Sequence, residues 1–367
     1  VMKRITFLID SMSGGGAERQ LATLANELVN DYEITIVTFC DINDHYYLNP
    51  SIKRIRLGYR RSRCMICRFL RTIIYFNKVN TDVVITYGQR SSFLGLLSLW
   101  FRKSIRVIAS ERNLTTDKPG RYENMLFSRL YVRASFIVPN SYSQARYIIA
   151  KRPDLKNKII TITNYTDLKV FTPTKDETYD DSMINIGVFA RYHKQKNFER
   201  FAKAIKCVRE LTDKRFVVNW YGRKKNGSGE FEPYYLMCED IILKEGLSDV
   251  VYLNDQVREI VPILREQDVI CQPSLFEGFS NSISEAICCG KPMLVSDVSD
   301  NSIMVKDGEN GILFNPYDVD DITRSIVRFL DLPKSKKKRM GERSREIAES
   351  LFDLKYFKNQ YIKLIEK

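Results

Sequence analysis

Three features are scarce in this chain, and each argues against a class of protein. No apolar run approaches the roughly 20 residues of a membrane-spanning helix, so the sequence does not predict an integral membrane protein. Only two histidines occur, His45 and His193, which argues against a metal site built from histidines. The N-terminal apolar run is too short for a signal peptide, and the 8 cysteines are scattered. We therefore expect reduced thiols and a cytoplasmic protein.

One pair of cysteines has the Cys-x-x-Cys spacing, at Cys64 and Cys67. Neither a second pair nor a histidine lies near it in the sequence. Zinc binding or redox chemistry remains an alternative for this pair, and ordinary thiols are the simpler interpretation.

Negative charge is scarce in one half of the chain only. The net charge is +13 over 367 residues. Residues 1–170 hold 27 Lys and Arg against 13 Asp and Glu, and the remainder holds 31 against 32. This asymmetry predicts an anionic surface or ligand that faces one domain. Nucleic acid is an alternative partner, but the sequence contains no recognised nucleic-acid-binding module.

Short apolar strands alternate with amphipathic helices along the chain, and the length suits two domains. This alternation predicts two doubly wound α/β domains with parallel sheets and a cleft between them. A polar stretch at 172–181 is interpreted as the linker. The expected domains are 1–171 and 182–351, with a C-terminal helix at 352–367 returning to the first domain. Strands are predicted at 5–9, 34–39, 52–57, 83–86, 107–109, 136–138, 184–189, 216–221, 250–253, 269–271, 293–295 and 312–314.

Three consecutive glycines, Gly14 to Gly16, follow the first predicted strand and precede a helix. Glycine lets a backbone approach a ligand closely and adopt positive φ. The spacing is not Gly-x-Gly-x-x-Gly, so it does not indicate a dinucleotide site. The segment is either a tight turn or a loop that contacts a phosphate or an acceptor.

Two basic residues follow the first strand of the second domain, Arg191 and Lys196. Arg191 could bind a diphosphate with its forked guanidinium, and Lys196 could act as a point charge. A solvated basic loop is the alternative.

The most informative stretch is 276–292, where Glu277 and Glu285 flank a Gly-Phe-Ser-Asn turn. If a helix begins after this turn, the N–H groups of Ser282 and Ile283 lie at the positive end of its dipole and can bind a phosphate. A buried Glu285 one turn later can accept hydrogen bonds from ribose hydroxyls. Together these groups predict a nucleotide-sugar. The alternative is an ordinary helix cap, with Ser280 or Asn281 at the N-cap.

In this order, the segments resemble the retaining glycosyltransferases of family 4, which have the two-domain GT-B fold. The resemblance covers nearly the whole chain, and it implies that the first domain binds the acceptor and the second domain binds the nucleotide-sugar donor. The matching motifs are Gly15–Arg19, Asn140–Ser143, Asn164–Asp167 with Phe171–Pro173, Arg191 with Lys196–Asn197, Glu277 with Glu285–Ala286 and Gly290–Pro292, and Asp307–Gly311.

The resemblance implies a role for each matching residue. Arg191 and Lys196 would neutralise the donor diphosphate, helped by the glycine loop at Gly15 and the N–H of Gly16. Glu285 would hold the ribose. Glu277 would contact the transferred sugar. The other residues of the expected donor site are Gly278, Phe279, Ser280, Asn281, Ser282 and Ile283.

The chain departs from the family pattern at two positions. Ala190 stands where the family usually has glycine, which an ordinary φ tolerates. Many members carry a histidine at the end of an N-terminal-domain strand, whereas this chain reads Ala-Ser-Glu-Arg-Asn at 109–113. Glu111 or Arg112 is expected to take that place, with Glu111 counted among the catalytic residues.

The resemblance implies departure of a nucleoside diphosphate, with its charge stabilised by the protein, so no metal or other cofactor is expected. Retention without an evident nucleophile suggests front-face attack. The acidic pair Asp318 and Asp320 is interpreted as the start of a helix rather than as a metal site.

Basic and apolar residues interleave at 59–76 and again at 93–103, which is typical of helices at a membrane surface. An apolar face that simply packs in the core is the alternative. The arginines expected to meet lipid headgroups or an acceptor diphosphate are Arg60, Arg61, Arg63, Arg68 and Arg71.

The sequence therefore predicts a peripheral enzyme on the cytoplasmic face of the plasma membrane. Its acceptor would be a glycan, expected to be linked to polyprenyl diphosphate, in synthesis of a bacterial surface polysaccharide such as capsule or O-antigen. By analogy the donor would be a UDP-hexose or a UDP-N-acetylhexosamine. A soluble synthase acting on a small sugar, of the sucrose or trehalose type, is the alternative.

Overall fold

The computed structural model describes residues 2–40, 45–58, 65–112, 124–174 and 182–367. The chain divides into two units: Val1–Tyr165 with Leu354–Lys367, and Thr166–Asp353. Each unit contains a parallel sheet with helices packed against it. The two doubly wound α/β domains expected from the sequence are confirmed.

The segment that follows Tyr165 is held by the second unit. Arg345 Nη1 donates hydrogen bonds to the carbonyl oxygens of Phe171 at 2.9 Å and Cys288 at 2.7 Å. Residues 166–171 therefore belong to the second unit, whereas the first domain was expected to end at residue 171. The assignment of acceptor and donor binding to the two domains stays a prediction.

The sheet of the first unit has the order β3-β2-β1-β4-β5-β6. In β1, residues 5–9 are all buried, as expected for a central strand covered on both faces. Ser141 begins a helix by accepting a hydrogen bond from the N–H of Gln144 at 3.1 Å. The strands are β1 (Arg4–Ile9), β2 (Glu33–Thr38), β3 (Lys53–Arg56), β4 (Val83–Tyr87), β5 (Arg106–Glu111) and β6 (Phe136–Pro139). The helices are α1 (Gly16–Leu28), α2 (Met65–Lys78), α3 (Gln89–Ser98) and α4 (Tyr142–Lys151), with a π turn at Leu126–Leu130 and 3-10 turns at Tyr131–Arg133 and Pro153–Lys158.

The sheet of the second unit has the order β12-β11-β10-β7-β8-β9. Its core contains the fully buried Trp220, whose ring meets Phe198 edge-on at 5.1 Å. The strands are β7 (Ile184–Phe189), β8 (Phe216–Tyr221), β9 (Val251–Asn254), β10 (Val269–Gln272), β11 (Met293–Ser296) and β12 (Gly311–Phe314). The helices are α5 (Phe198–Leu211), α6 (Pro233–Lys244), α7 (Ile260–Arg265), α8 (Asn281–Cys288), α9 (Asn301–Met304), α10 (Val319–Leu330) and α11 (Lys334–Leu351), with a 3-10 turn at Lys194–Lys196.

The acidic residues before α10 form a helix cap. The carboxylate of Asp318 accepts hydrogen bonds from the N–H groups of Asp320 at 2.9 Å and Asp321 at 3.2 Å. This confirms the interpretation of Asp318 and Asp320 as a helix start.

The last helix, α12 (Leu354–Glu366), packs in the first unit. Its Tyr361 is fully buried and accepts a hydrogen bond from Arg112 Nη2. The ring of Phe357 stacks on Tyr165 with centroids 5.7 Å apart. The chain therefore ends in the unit in which it began.

Candidate active site

The strand order of the second unit places β7 beside β10, and the chain leaves these strands toward opposite sides of the sheet. In doubly wound sheets, ligands bind at such a point, outside the carboxyl ends of the strands. Strand β7 leads into the loop 190–197, and β10 leads into the loop 273–280 before α8. The basic segment and the acidic segment singled out in the sequence therefore lie at the same edge of the sheet.

Asn197 joins these two loops. Its φ of 62° lies in the left-handed region, which asparagine adopts more readily than most residues. Its side-chain Nδ2 donates to the carbonyl oxygens of Pro273 at 3.1 Å and Pro316 at 2.8 Å. The neighbouring Gln195 donates to the carbonyl of Phe276 at 2.7 Å. These bonds hold Lys196 against the loop that follows β10.

Lys196 and Glu277, which are 81 positions apart in the chain, form an ion pair with an Nζ–Oε1 distance of 2.5 Å. Their side chains are only 12% and 10% exposed. Water screens such a pair little, so its attraction is stronger than that of a surface pair. Two residues predicted to serve the donor thus bind each other in this structure.

The carboxylate of Glu277 is ionised despite its burial. Burial by itself would raise the pKa of Glu277, but the ammonium of Lys196 and hydrogen bonds from Lys196, Ser274 and Gln272 outweigh it. The pKa of Glu277 is therefore lower than its ordinary value. Because the pair with Lys196 is neutral overall, a phosphate that bound Lys196 would compete with Glu277 for the ammonium.

Arg191 is the second cation of the site. It lies just beyond β7, its side chain is exposed, and it makes no hydrogen bond or ion pair with the described residues. Unlike Lys196, its positive charge is not neutralised by a described neighbour.

The side chain of the N-cap residue does not cap the first turn of α8. Ser280 is the N-cap residue, but within the described structure its hydroxyl makes no capping bond and instead lies 3.1 Å from the hydroxyl of Ser282. The N–H of Ser284 donates to the carbonyl of Ser280 at 3.1 Å and begins the helical pattern. The N–H groups of Ser282 and Ile283 therefore lie in the first turn, at the positive end of the dipole. The side-chain cap considered as an alternative is not formed by Ser280.

The remaining predicted donor residues surround this turn. Gly278 is half-buried in the loop. The side chain of Phe279 is buried edge-on against Phe352, with centroids 6.3 Å apart, so it offers a ligand only its backbone. Asn281 begins α8, and Glu285 lies one turn further on with 6% exposure.

The Gly-Lys-Pro segment after α8 has a structural explanation. Gly290 has a φ of 71°, and the N–H of Lys291 donates to the carbonyl of Ala286 at 3.0 Å, as in a glycine-terminated helix. A Cβ at Gly290 would also lie 3.1 Å from Pro173. This glycine therefore serves the helix end and its contact with the linker.

The glycine loop of the first unit lies at the corresponding point of its own sheet, where β1 is beside β4. Gly14 has a φ of 107°, and a Cβ on Gly15 would lie 2.3 Å from the carboxylate of Glu18. Glu18 is hydrogen-bonded to the backbone of Gly15. Burial nonetheless raises the pKa of Glu18 above its ordinary value. The positive φ of Gly14 fits a tight turn, whereas Gly15 has an ordinary φ of −86° and Gly16 is the first residue of α1. Contact of Gly15 and Gly16 with a ligand stays a prediction.

Glu111 ends β5 and is fully buried. The next residue, Arg112, lies with its guanidinium carbon 4.5 Å from the ring centroid of Tyr87 and donates to Asn164 Oδ1 at 3.2 Å. Together with its bond to Tyr361, these contacts give Arg112 a structural role in holding α12. Residues 113–123 lie outside the described part of the chain, so Glu111 stays a predicted catalytic residue.

Two of the five predicted membrane arginines, Arg68 and Arg71, lie among the described residues. Arg60, Arg61 and Arg63 lie outside the described residues. Arg68 is 9% exposed and its Nη1 lies 3.6 Å from Asp10 Oδ1, and Arg71 donates to the carbonyl of Leu57 at 2.8 Å. Arg68 therefore points toward the sheet in this structure, and the contact of these arginines with lipid headgroups or an acceptor diphosphate stays a prediction.

Two polar residues of the site, Gln272 and Ser274, were not predicted from the sequence. Both are fully buried, and both hydrogen-bond Glu277. A glutamine at the end of the otherwise apolar run Val-Ile-Cys was the available signal, because a buried amide requires partners.

Among the described residues, no helix combines the length and the apolar character needed to cross a bilayer. In the same part of the chain, no three His, Cys, Asp or Glu side chains are grouped closely enough to bind a metal ion.

Two family models match the chain and together span most of it. Residues 14–212 match the model described as Glycosyltransferase Family 4. Residues 175–347 match the model described as Glycosyl transferases group 1.

Three curated relatives show what the chain is similar to. It is 33% identical over 132 residues to an MMP alpha-(1->4)-mannosyltransferase of Mycolicibacterium hassiacum, covering 35% of this chain and 32% of the relative. It is 32% identical over 185 residues to the UDP-Gal:alpha-D-GlcNAc-diphosphoundecaprenol alpha-1,3-galactosyltransferase of Escherichia coli, covering 47% and 46%. The match therefore spans about a third and about half of these two relatives.

A third relative aligns along nearly its whole length. The N-acetylgalactosamine-N,N'-diacetylbacillosaminyl-diphospho-undecaprenol 4-alpha-N-acetylgalactosaminyltransferase of Campylobacter jejuni is 22% identical over 363 residues, covering 92% of each chain. Among solved structures, Anabaena Alr3699/HepE in complex with UDP and glucose superposes with a TM-score of 0.81 at 16% identity, covering 100% of each chain. That structural likeness shows the GT-B fold.

Proposed function

The chain belongs to glycosyltransferase family 4, and from this membership we propose that it transfers a sugar from a UDP-sugar to a glycan acceptor linked to a lipid diphosphate. The observation that carries the proposal is the buried Lys196–Glu277 pair beside the first turn of α8. The pair and the helix turn supply a cation, a carboxylate and the backbone N–H groups of a helix N-terminus near the switch point of one sheet. A nucleotide-sugar needs these three kinds of group.

The proposed mechanism is stabilisation of the leaving diphosphate. As the bond to the sugar breaks, negative charge grows on the β-phosphate. Arg191, Lys196 and the first turn of α8 would stabilise that charge in a pocket arranged in advance. Because protein groups supply the positive charge, we propose that no divalent metal is required.

Glu285 would accept hydrogen bonds from the ribose hydroxyls, and Glu277 would accept one from the transferred sugar. We propose retention of configuration with front-face attack, the leaving phosphate oxygen taking the acceptor proton. The names of the three relatives specify alpha linkages, and transfer from an alpha-linked nucleotide-sugar to an alpha-linked product is retention.

The names of two relatives include diphosphoundecaprenol or diphospho-undecaprenol, which supports a lipid-linked acceptor for this chain. We propose that the first unit binds this acceptor and that the enzyme works on the cytoplasmic face of the plasma membrane, in synthesis of a surface polysaccharide. A small soluble sugar is the alternative acceptor.

The direct test combines nucleotide binding with transfer. UDP, GDP and ADP are compared by thermal shift, and a nucleotide at 100 times its Kd should stabilise the folded state by about 2.7 kcal/mol. At equal concentrations of the three nucleotides, UDP should give the largest shift. Transfer from UDP-hexoses and UDP-N-acetylhexosamines is then measured onto undecaprenyl-diphosphate-linked sugars and onto free sugars, with and without EDTA. A folded sample that responds to no nucleotide would refute the proposal, and activity lost in EDTA and restored by Mg²⁺ would refute its metal-free part.

The surface of α2 suggests how the first unit meets a membrane. Ile66, Leu70 and Ile74 are 70%, 52% and 53% exposed, and their spacing of four places them along one helix face. Phe101 is 90% exposed and precedes Arg102, which donates to the carbonyl of Phe76 in the last turns of α2 at 2.7 Å. We propose that this apolar stripe inserts into the interface and that basic residues of the first unit attract anionic lipid.

Changing Ile66, Leu70 and Ile74 together to serine should weaken binding to anionic vesicles about tenfold or more, because burial of each side chain contributes on the order of 1 kcal/mol. The measurement is co-sedimentation with vesicles containing phosphatidylglycerol. The control changes Leu211 and Leu243, which are 65% and 72% exposed on the second unit, to serine. Equal binding by wild type and the α2 variant would remove the stripe from the proposal.

A further inference from the structure

Gln272 is an unusual residue for the position it occupies. It is the last residue of β10, follows Val269, Ile270 and Cys271, and has 0% exposure. A glutamine amide carries two N–H donors and an oxygen acceptor, and burying it costs free energy unless these groups are bonded. Its partners therefore indicate its role.

The described partners of the Gln272 amide group all belong to the candidate donor site. Its Nε2 donates to Glu277 Oε1 at 2.9 Å and to the hydroxyl of Ser274 at 3.0 Å. Its Oε1 accepts from the hydroxyl of Ser282, in the first turn of α8, at 3.3 Å. The amide thus connects the carboxylate expected to face the sugar with the helix turn expected to face the phosphate.

The orientation of the amide follows from chemistry. The ionised carboxylate of Glu277 can only accept hydrogen bonds, so the Nε2 side of the amide must face it. The other face of the amide then presents Oε1 to Ser282, whose hydroxyl can donate. Rotation of the amide by half a turn would place two oxygens against each other, so the network admits one arrangement.

Lys196 and Gln272 bind the same oxygen of Glu277, Oε1. Ser274 also hydrogen-bonds this carboxylate, and an ionised carboxylate can accept about four hydrogen bonds, so Glu277 keeps acceptor capacity for a further donor. A sugar hydroxyl is such a donor, and the position of Oε2 is set once Oε1 is held from two directions.

We infer that Gln272 is a positioning residue for sugar transfer: it holds Oε1 of Glu277 and the first turn of α8 in one hydrogen-bonded unit, so that Oε2 faces a hydroxyl of the transferred sugar. The inference rests on the proposed function and specifies how the groups of its donor site are held in position relative to one another. Gln272 acts through Glu277 and Ser282, and the diphosphate is bound by other groups.

The experiment separates nucleotide binding from turnover. Gln272→Leu removes the amide, and Gln272→Glu keeps its shape but places a carboxylate beside Glu277. The Kd of Gln272→Leu for UDP should stay within about threefold of the wild-type value. Gln272→Glu should bind UDP more weakly than that, since the added negative charge repels the diphosphate. The kcat at saturating donor should fall at least tenfold in both variants.

The matched control is Gln267→Leu. Gln267 precedes the other end of β10, is 3% exposed, and also has a bonded amide, donating to the carbonyl of Ile263 at 3.1 Å. A structural role for buried glutamines would reduce folding in both Leu variants and leave kcat per folded molecule unchanged. If Gln272→Leu does not fold, Gln272→Glu decides, because it has nearly the same volume.

The assay uses the UDP-sugar and acceptor that support transfer by the wild-type chain. A wild type that neither binds UDP nor transfers sugar refutes the proposed function itself. A working wild type, together with Gln272 variants whose kcat stays within twofold of the Gln267 control, overturns this inference alone.

Discussion

Glu277→Gln is expected to lower kcat about 10²-fold while leaving UDP binding intact or tightening it, on the scale seen when one transition-state hydrogen bond is removed. The carboxylate of Glu277 accepts bonds from Lys196 and Gln272. A glutamine here has a single acceptor oxygen, which must face these two donors. Its NH₂ group would then face the sugar hydroxyl, which could only accept from it, so the charge-assisted bond from the hydroxyl to the carboxylate would be lost. The measurement is kcat at saturating donor beside the Kd for UDP.

Tighter UDP binding in this variant follows from charge. In the wild type, the ammonium of Lys196 is neutralised by Glu277 at 2.5 Å. Removing the carboxylate frees that positive charge for the diphosphate. The matched control is Glu245→Gln, which breaks an ion pair with Lys206 whose side chains are 25% and 49% exposed. A Glu277→Gln enzyme with normal kcat, or one that loses UDP binding, would contradict the assigned role.

The fold could be predicted from the sequence because the central strands of both sheets are buried on both faces. Such strands are nearly continuous apolar runs, and the runs predicted at 184–189 and 216–221 coincide with β7 and β8. At the strand ends the prediction was less accurate. Strand β10 includes Gln272, whose polar side chain interrupted the apolar run, and it is there that the site begins.

The site could be predicted as segments but not as contacts. Lys196 and Glu277 were both assigned to the donor, yet no local pattern shows that residues 81 positions apart form an ion pair. The pairing depends on the strand order, which brings β7 beside β10, and on the bonds of Asn197 to the opposite loop.

The direction of helix α2 shows a second limit. Its sequence interleaves apolar and basic residues, so either face could have met the sheet. The structure buries Arg68 near Asp10 and exposes Ile66 and Leu70. An arginine can bury its long apolar stem and still pair with a carboxylate, which a simple division into polar and apolar faces does not anticipate.

Lys196→Met is expected to weaken UDP binding about 10- to 100-fold, since a hydrogen bond to a charged group contributes about 1.5–3 kcal/mol. Two effects act in the same direction. The diphosphate loses one cation, and Glu277 becomes a buried carboxylate without its counter-ion, which repels the ligand. Isothermal titration with UDP measures the change. The control is Lys194→Met, because Lys194 lies in the same short turn but is exposed.

The pH dependence of the Lys196→Met variant tests the second effect separately. Burial raises the pKa of Glu277, and in the wild type the ammonium of Lys196 and its hydrogen bond are the first of the interactions that outweigh it. Without that ammonium the pKa of Glu277 should rise, so lowering the pH protonates the carboxyl and removes the repulsion. UDP binding by the variant should therefore recover in part as pH falls from 8 to 6, relative to the wild type.

Adding Glu277→Gln to Lys196→Met should give the same recovery at pH 8. The two substitutions then form a double-mutant cycle, which measures the coupling of two residues in contact. If the double variant binds UDP no better than Lys196→Met, the carboxylate does not oppose the diphosphate, and the competition between Glu277 and phosphate for Lys196 is not part of donor binding.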